Sequence, residues 1–328
     1  MKRTLSPGRI RALQACANAQ GIFTILAADH RDPLRAMLNP NAPIKVTAAE
    51  LTDAKLALVR ELTPFASAAL LDPIYSAAQA IVTGALSGHV GLLCALEEQG
   101  YGDDAFARTT TLLKGWSVEK AKRLGANGVK ILLFYHPESR AAKQQEELVR
   151  AVLRDCAQFQ IPLFLEPISY SLEPRVEKNS EAFARARRRI VIESVRRLGA
   201  LAPDVLKVEF PLDVKFEKDE RVWADACAEL NEASPAPWAL LSGEEPFDVF
   251  KRQVRVACEN GCSGFLAGRA VWRDAFGVTE TQRTEFLRTT ARQRFQELSN
   301  LAAMYGKAWH TRYAMPNVDE NWYRETGI

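Results

Sequence analysis

The chain has 328 residues, 47% of them hydrophobic and 25% charged, which is an ordinary composition for a soluble globular protein. Its formal net charge of +3 argues against a nucleic-acid partner, and no stretch of 18 consecutive apolar residues is present to span a membrane. The N-terminus lacks the apolar run of a signal peptide, and the six cysteines form no CxxC pair. These features predict a cytoplasmic protein with reduced, buried thiols.

Short apolar segments alternate with longer helical patterns along the chain. Eight segments are predicted as strands, at residues 23–28, 67–72, 90–95, 128–134, 162–166, 205–210, 238–242 and 264–268. Helical patterns lie between them at 48–62, 117–124, 144–159, 181–198, 219–230 and 246–259. Strands that are nearly continuous apolar runs are typical of parallel sheets buried on both faces.

Eight strand–helix units predict a (β/α)8 TIM barrel as a single domain over residues 1–328. Residues from about 283 onward are expected to form the last helix and a C-terminal helical extension. That extension would pack on the barrel or on another subunit, so a homo-oligomer is compatible with the sequence. An open doubly wound sheet is the structural alternative, but it usually has a glycine-rich first βα turn, and no GxGxxG follows the first strand here.

Polar residues stand at the strand ends, where barrels place their functional groups. In chain order they are Asp29, His30 and Arg31 after the first strand, Asp72 at the second, Lys130 in the fourth, Glu166 at the fifth, Lys207 and Glu209 in the sixth, Ser242 and Gly243 at the seventh, and Gly268 and Arg269 at the eighth. Each charge alone could be a structural ion pair. Their convergence on one barrel mouth favours an active site.

Lys207 lies inside the apolar segment 205–210, where a strand offers it no solvated face. Burial disfavours a charged ammonium, so such an amine is expected to act as a nucleophile, as Schiff-base chemistry on a carbonyl requires. The structural alternative is a buried lysine paired with a neighbouring carboxylate. Glu209, two residues further on the same side of the strand, is the candidate partner.

The last two strand ends predict a phosphate site. Barrels bind phosphate at the loops after strands seven and eight through backbone N–H groups, and Ser242-Gly243 and Gly268-Arg269 occupy those places. The arginine would add charge-assisted hydrogen bonds, although two ordinary glycine turns remain the alternative. A metal-dependent mechanism is disfavoured because the four histidines show no HxxH or HxxxH pairing, and no cofactor is expected.

Seven stretches, taken together and in order, resemble class I tagatose-1,6-bisphosphate aldolases and the related sulfofructosephosphate aldolases. They are LAADHR (26–31), LLDP (70–73), VK (129–130), FLEP (164–167), DVLKVE (204–209), LSG (241–243) and GFLAGRAVW (264–272), and the resemblance runs from about residue 21 to 278. It implies a lyase in which Lys207 forms the Schiff base, Glu166 transfers protons, and Asp29 and Lys130 flank the imine. It also implies a phosphate cradle of Ser242, Gly243, Gly268 and Arg269.

One position departs from the family, which commonly has Asp-Gln-Arg where this chain has Asp29-His30-Arg31. A histidine can charge near neutral pH, so recognition of the far end of the substrate is expected to differ. The expected substrate is tagatose 1,6-bisphosphate, with His30, Arg31 and the loop after the second strand as candidate readers of that end. The alternatives are an aldolase for a ketose 1-phosphate modified at C6, such as 6-sulfofructose 1-phosphate, and a catalytically silent regulator that binds a sugar phosphate.

Overall fold

Eight parallel strands close into a barrel in chain order in the computed structural model, which describes residues 2–100, 102 and 104–324. They are β1 Phe23–Ala27, β2 Ala68–Leu71, β3 Gly91–Ala95, β4 Gly128–Phe134, β5 Leu163–Ile168, β6 Val205–Val208, β7 Trp238–Leu241 and β8 Gly264–Ala267. β1 pairs with β8, with Phe23 opposite Gly264, and this pairing closes the ring. The predicted TIM barrel is therefore confirmed, and the open sheet is excluded.

Helices follow the strands and form the outer layer. They are α1 Pro7–Cys16, α2 Asp32–Leu38, α3 Ala48–Leu62, α4 Ala77–Val82, α5 Val118–Leu124, α6 Ala142–Gln158, α7 Glu181–Gly199, α8 Glu220–Ala233, α9 Phe247–Glu259, α10 Arg269–Trp272, α11 Glu280–Phe286 and α12 Arg292–Tyr305. A π-helix at Leu287–Ala291 joins α11 to α12. In the described part of the chain, no helix is both long enough and apolar enough to cross a bilayer.

Two strand ends differ from the prediction in ways that affect the candidate site. β5 continues to Ile168 because its ladder with β4 runs on to the pair Phe134–Ile168, so Glu166 projects from inside the strand. β6 ends at Val208, so Glu209 lies beyond the strand instead of within it.

The barrel interior is filled by apolar side chains and is closed at the end where the strands begin. Phe23, Phe164 and Leu266 belong to this inner cluster, together with Leu13 of α1 and Trp309 of the C-terminal extension. The extension, predicted to pack on the barrel or on another subunit, therefore packs on the barrel at Trp309. Closure of this end leaves the carboxyl ends of the strands as the place where polar side chains meet solvent.

Candidate active site

Two buried lysines and three carboxylates form one connected cluster at the carboxyl end of the barrel. Nζ of Lys207 lies 2.8 Å from Oε1 of Glu166, and the other oxygen of Glu166 lies 3.2 Å from Nζ of Lys130. Lys130 also pairs with Oδ2 of Asp29 at 2.7 Å and with Oε1 of Glu97. None of the five side chains is more than 10% exposed. The structure thus brings together the four residues predicted for catalysis and adds Glu97.

Strand periodicity explains why these residues meet. Alternate residues of a strand point to the same face, and in a barrel one face is the interior. Lys130 of β4, Glu166 of β5 and Lys207 of β6 project inward from three neighbouring strands. Asp29 and Glu97 come two residues after the last residues of β1 and β3, so they extend the same inward-facing rows.

Lys130 is held as a fixed cation. Burial opposes its charge, but attraction by Asp29, Glu97 and Glu166 outweighs burial and holds the pKa of Lys130 well above its ordinary value. Burial likewise acts to raise the pKa of Asp29, and Lys130 and Lys207 overcome it, so that pKa lies far below its usual range. A lysine bound by three carboxylates is a poor nucleophile, because its reactive neutral form is disfavoured. Among the residues described, no group of three His, Cys, Asp or Glu side chains is arranged to hold a metal ion.

Glu209 is not the partner of Lys207, contrary to the alternative drawn from the sequence. Its carboxylate accepts hydrogen bonds from the backbone N–H and the hydroxyl of Ser169, both at 2.6 Å, and pairs with Lys178 at 2.5 Å. Burial acts to raise the pKa of Glu209, but Lys178 and Arg187 lower it to about 2. Through these contacts Glu209 anchors the loop after β5, and it lies outside the lysine cluster.

Asp72 also lies apart from the cluster, which corrects its predicted convergence on the mouth. Its carboxylate pairs with Lys55 of α3 at 2.7 Å and accepts from the N–H groups of Ile74 and Tyr75. Lys55 is fully buried, and it also donates to the carbonyl oxygen of Ala28 at 2.6 Å. Burial lowers the pKa of Lys55, with Asp72 acting in the opposite direction. This ion pair braces the backbone immediately before the cluster carboxylate at position 29.

Sequence reasoning missed two residues of this region. Glu97 stands two residues past β3, the same offset that separates Asp29 from the end of β1. The strands predicted from the sequence end at residues 28 and 95, so this shared offset was not visible before the structure showed that β1 ends at Ala27. Lys55 lies in an amphipathic helical pattern, where a lysine normally indicates a solvated face, so no sequence signal marked it.

Arg31 is predicted to bind the end of the substrate remote from the C1 phosphate, but its guanidinium is bound to the segment after β3. It donates to the carbonyl oxygen of Glu97 at 2.9 Å and lies 3.4 Å from Oε1 of Glu98. Arg31 therefore holds in place the residue whose carboxylate pairs with Lys130.

His30 is neutral at physiological pH, so the expectation that it charges near neutral pH is wrong. Burial lowers its pKa to about 3, with the positive charges of Arg269 and Lys207 adding to the effect and Asp29 opposing it. Its ring lies edge-on to Trp272, with 5.3 Å between centroids. Nδ1 is buried without a hydrogen-bond partner, 3.8 Å from Oδ1 of Asp29.

Replacing His30 with glutamine is expected to reduce the loss of unfolding free energy that occurs as the pH falls below neutrality. The folded-state pKa of His30 is about 3 and its ordinary value 6.5, so below pH 6.5 the unfolded chain binds a proton that the folded chain does not. This difference in proton binding lowers the unfolding free energy of the wild-type protein by about 2 kcal/mol between about pH 7.5 and about pH 5. Urea unfolding at the two pH values measures it. An equal loss in wild type and His30→Gln would contradict a buried, neutral histidine.

The four residues predicted to cradle a phosphate lie together after β7 and β8. The hydroxyl of Ser242 accepts a hydrogen bond from the N–H of Gly268 at 3.0 Å, which ties the two strand ends together. Gly243 has a φ of +52°, in the left-handed region that favours glycine. A Cβ on Gly268 would lie 2.9 Å from the carbonyl oxygen of Ala27, so the backbone there approaches β1 closely. Arg269 pairs with the exposed Glu244, and its buried Nε has no partner.

A barrel that carries a buried lysine pair bridged by a carboxylate at its mouth belongs to the class of barrel enzymes suited to carbonyl chemistry. A family model described as DeoC/LacD family aldolase matches residues 23–274. The chain belongs to this family and is an aldolase, a lyase. The resemblance stated from the sequence motifs is confirmed.

Curated relatives match over nearly their whole length. Tagatose 1,6-diphosphate aldolase 2 of Streptococcus agalactiae is 30% identical, over 94% of this chain and 99% of the relative. The enzyme of the same name from Enterococcus faecalis is also 30% identical, over 94% and 98%. Tagatose 1,6-diphosphate aldolase of Lactococcus lactis is 30% identical, over 93% and 98%.

Solved structures share the fold. An archaeal fructose 1,6-bisphosphate aldolase has a TM-score of 0.60 at 20% identity, over 90% of this chain and 99% of its own. Fructose-bisphosphate aldolase from Plasmodium falciparum has a TM-score of 0.69 at 14% identity, over 93% and 98%. At these identities the likeness establishes the barrel fold alone.

Proposed function

We propose that this protein is a class I aldolase that cleaves tagatose 1,6-bisphosphate to dihydroxyacetone phosphate and glyceraldehyde 3-phosphate through a Schiff base on Lys207. The observation that carries the proposal is the 2.8 Å contact between Nζ of Lys207 and Oε1 of Glu166, beside the fixed cation Lys130. The names of relatives at 30% identity support tagatose 1,6-bisphosphate as the substrate.

The different surroundings of the two lysines support Lys207 as the nucleophile. Lys130 is bound by Asp29, Glu97 and Glu166, which stabilise its charged form, whereas Lys207 has only Glu166 as an ion-pair partner among the described residues. The amine that must shed a proton to attack a carbonyl is therefore Lys207. Lys130 supplies a constant positive charge beside the reacting amine.

The reaction begins when the neutral amine of Lys207 adds to the C2 ketone of the open-chain sugar. Glu166, which has taken the proton that the Lys207 ammonium loses, gives it to the departing hydroxyl group, so that water leaves and an iminium ion remains. Glu166 then takes the proton of the C4 hydroxyl as the C3–C4 bond breaks. The electron pair of that bond moves to the iminium nitrogen, which gives an enamine and the free aldehyde.

The enamine completes the cycle by taking a proton at C3 and returning to the iminium form. Hydrolysis of this iminium releases dihydroxyacetone phosphate and restores the amine of Lys207. A carboxylate 2.8 Å from the reacting nitrogen stabilises each iminium ion in a site from which most water is excluded. Ser242, Gly243, Gly268 and Arg269 would hold the C1 phosphate, since they follow β7 and β8 next to β6.

A substrate comparison tests the proposed reaction. We expect cleavage of tagatose 1,6-bisphosphate with a higher kcat/KM than fructose 1,6-bisphosphate or 6-sulfofructose 1-phosphate, and activity that persists in excess EDTA. A higher value for 6-sulfofructose 1-phosphate would support the alternative substrate. Tight binding of these sugars without turnover would replace the proposal with a sensing role, and loss of activity in EDTA that added metal restores would refute the Schiff-base mechanism.

Replacing Glu166 with glutamine is expected to lower kcat by about 10²- to 10⁴-fold, the usual contribution of a positioned acid or base. The amide keeps the shape of the side chain but cannot exchange a proton with the substrate. The variant should still form a borohydride-stable adduct, more slowly, because Lys207 remains. Glu177→Gln, an exposed glutamate in the loop after β5, is the control. A decrease in kcat of less than about threefold would remove Glu166 from the proton transfers.

A further inference from the structure

The anionic group at C6 of the substrate needs a residue that binds it, and the sequence did not identify that residue. Of the residues expected to fill this role, Arg31 is bound to the segment after β3, and His30 is neutral. Neither offers an uncommitted positive charge to an anionic group at C6.

Arg108 does offer one, at the carboxyl ends of β4 and β5. Its Cζ lies 4.5 Å from the ring centroid of Phe134 and 5.6 Å from that of Tyr170. Contact with ring faces holds a guanidinium in place through cation–π attraction and leaves N–H groups on its edge available. Within the described residues, the guanidinium of Arg108 makes no ion pair or hydrogen bond.

The backbone at Arg108 is fixed to the barrel. The buried side chain of Gln145 donates to the carbonyl oxygens of Arg108 and Phe134, at 3.2 and 3.3 Å, and accepts from the N–H of Thr110 at 3.2 Å. The hydroxyl of Thr110 donates to the carbonyl oxygen of Leu132 at 2.9 Å. The position of Arg108 is therefore set by β4 and α6.

The direction of a bound substrate brings its far end towards this position. In the proposed mode of binding, the C1 phosphate lies after β7 and β8 and C2 reacts at Lys207 of β6. The carbons beyond C3 then extend over Glu166 of β5 and Lys130 of β4. Phe134 lies four residues beyond Lys130 on β4, with an even offset that keeps it on the inner face. Arg108, seated on that ring, lies on the solvent side of the lysine cluster.

We infer that Arg108 binds the anionic group at C6 of the substrate and determines the preference for ketoses charged at both ends; this inference rests on the proposed aldolase function. A guanidinium presents paired N–H groups that match two oxygens of a tetrahedral oxyanion. Phosphate and sulfonate share that chemistry, and the experiment separates them.

The test compares Arg108→Met with wild type on tagatose 1,6-bisphosphate and on tagatose 1-phosphate. Losing a charge-assisted contact is expected to lower kcat/KM for the bisphosphate about 10- to 100-fold, mainly through KM, and to change that for the monophosphate less than about threefold. Arg108→Lys should restore part of the loss. An equivalent decrease on 6-sulfofructose 1-phosphate would show that Arg108 takes either oxyanion, whereas a decrease confined to the bisphosphate would identify phosphate as its ligand.

Arg175→Met is the matched control, because this exposed arginine lies in the loop after β5. Equal losses on bisphosphate and monophosphate by Arg108→Met would overturn the inference and leave Arg108 as a structural residue of the mouth. If Arg108→Met shows equal losses but the wild type cleaves both sugars, the proposed function still stands. If the wild type cleaves none of the three sugars, the proposed function itself fails.

Discussion

Replacing Lys207 with methionine is expected to abolish aldol cleavage, with a decrease in kcat on the order of 10⁴-fold or more. Methionine fills nearly the same volume but has no amine, so neither the iminium ion nor the enamine can form. Borohydride with dihydroxyacetone phosphate should trap one covalent adduct per wild-type chain and none on the variant. Intact-mass measurement and peptide mapping give the number and the site of the adduct.

Lys143→Met is the control for this experiment, because it removes an exposed lysine on α6. It should keep both full activity and trapping. Adduct formation on Lys130 or another lysine in the wild type, or trapping that persists in Lys207→Met, would refute the assignment of the nucleophile.

Replacing Lys130 with methionine is expected to destabilise the protein as well as inactivate it. Lys130 is the shared counter-ion of Asp29, Glu97 and Glu166, and its loss leaves buried carboxylates without compensation. Breaking a buried ion pair on one side typically costs about 3–5 kcal/mol of unfolding free energy. Urea unfolding near neutral pH measures the loss, and kcat of the folded fraction should fall as well.

A double variant separates electrostatics from packing in that result. Adding Glu97→Gln to Lys130→Met removes one of the uncompensated charges, so part of the lost stability should return. Glu97→Gln alone should be the less harmful single change, because two carboxylates remain on Lys130. Additive losses in the double variant would mean that the packing of the lysine stem, and not charge compensation, accounts for the effect.

The order of strands and helices followed from local patterns. Apolar runs of four to seven residues mark strands buried on both faces, and the count of eight predicts a closed barrel, in which β1 pairs with β8. The exact ends of β5 and β6 did not follow, because a strand ends where its neighbour stops pairing with it. Continued pairing of Phe134 with Ile168 placed Glu166 inside its strand, and the early end of β6 placed Glu209 outside.

The sequence by itself determined the barrel, a set of charges at its strand ends that includes Lys207, Glu166, Asp29 and Lys130, and the glycine-lined ends of β7 and β8. Periodicity and residue chemistry are local properties, so they can be read along the chain. Tertiary structure alone decided which charges touch. It paired Lys207 with Glu166 across neighbouring strands, gathered Glu97 onto Lys130, and turned Asp72 and Glu209 away towards Lys55 and Lys178. Ion pairs depend on distances between segments far apart in the chain, and the protonation state of His30 depends on burial by those same segments.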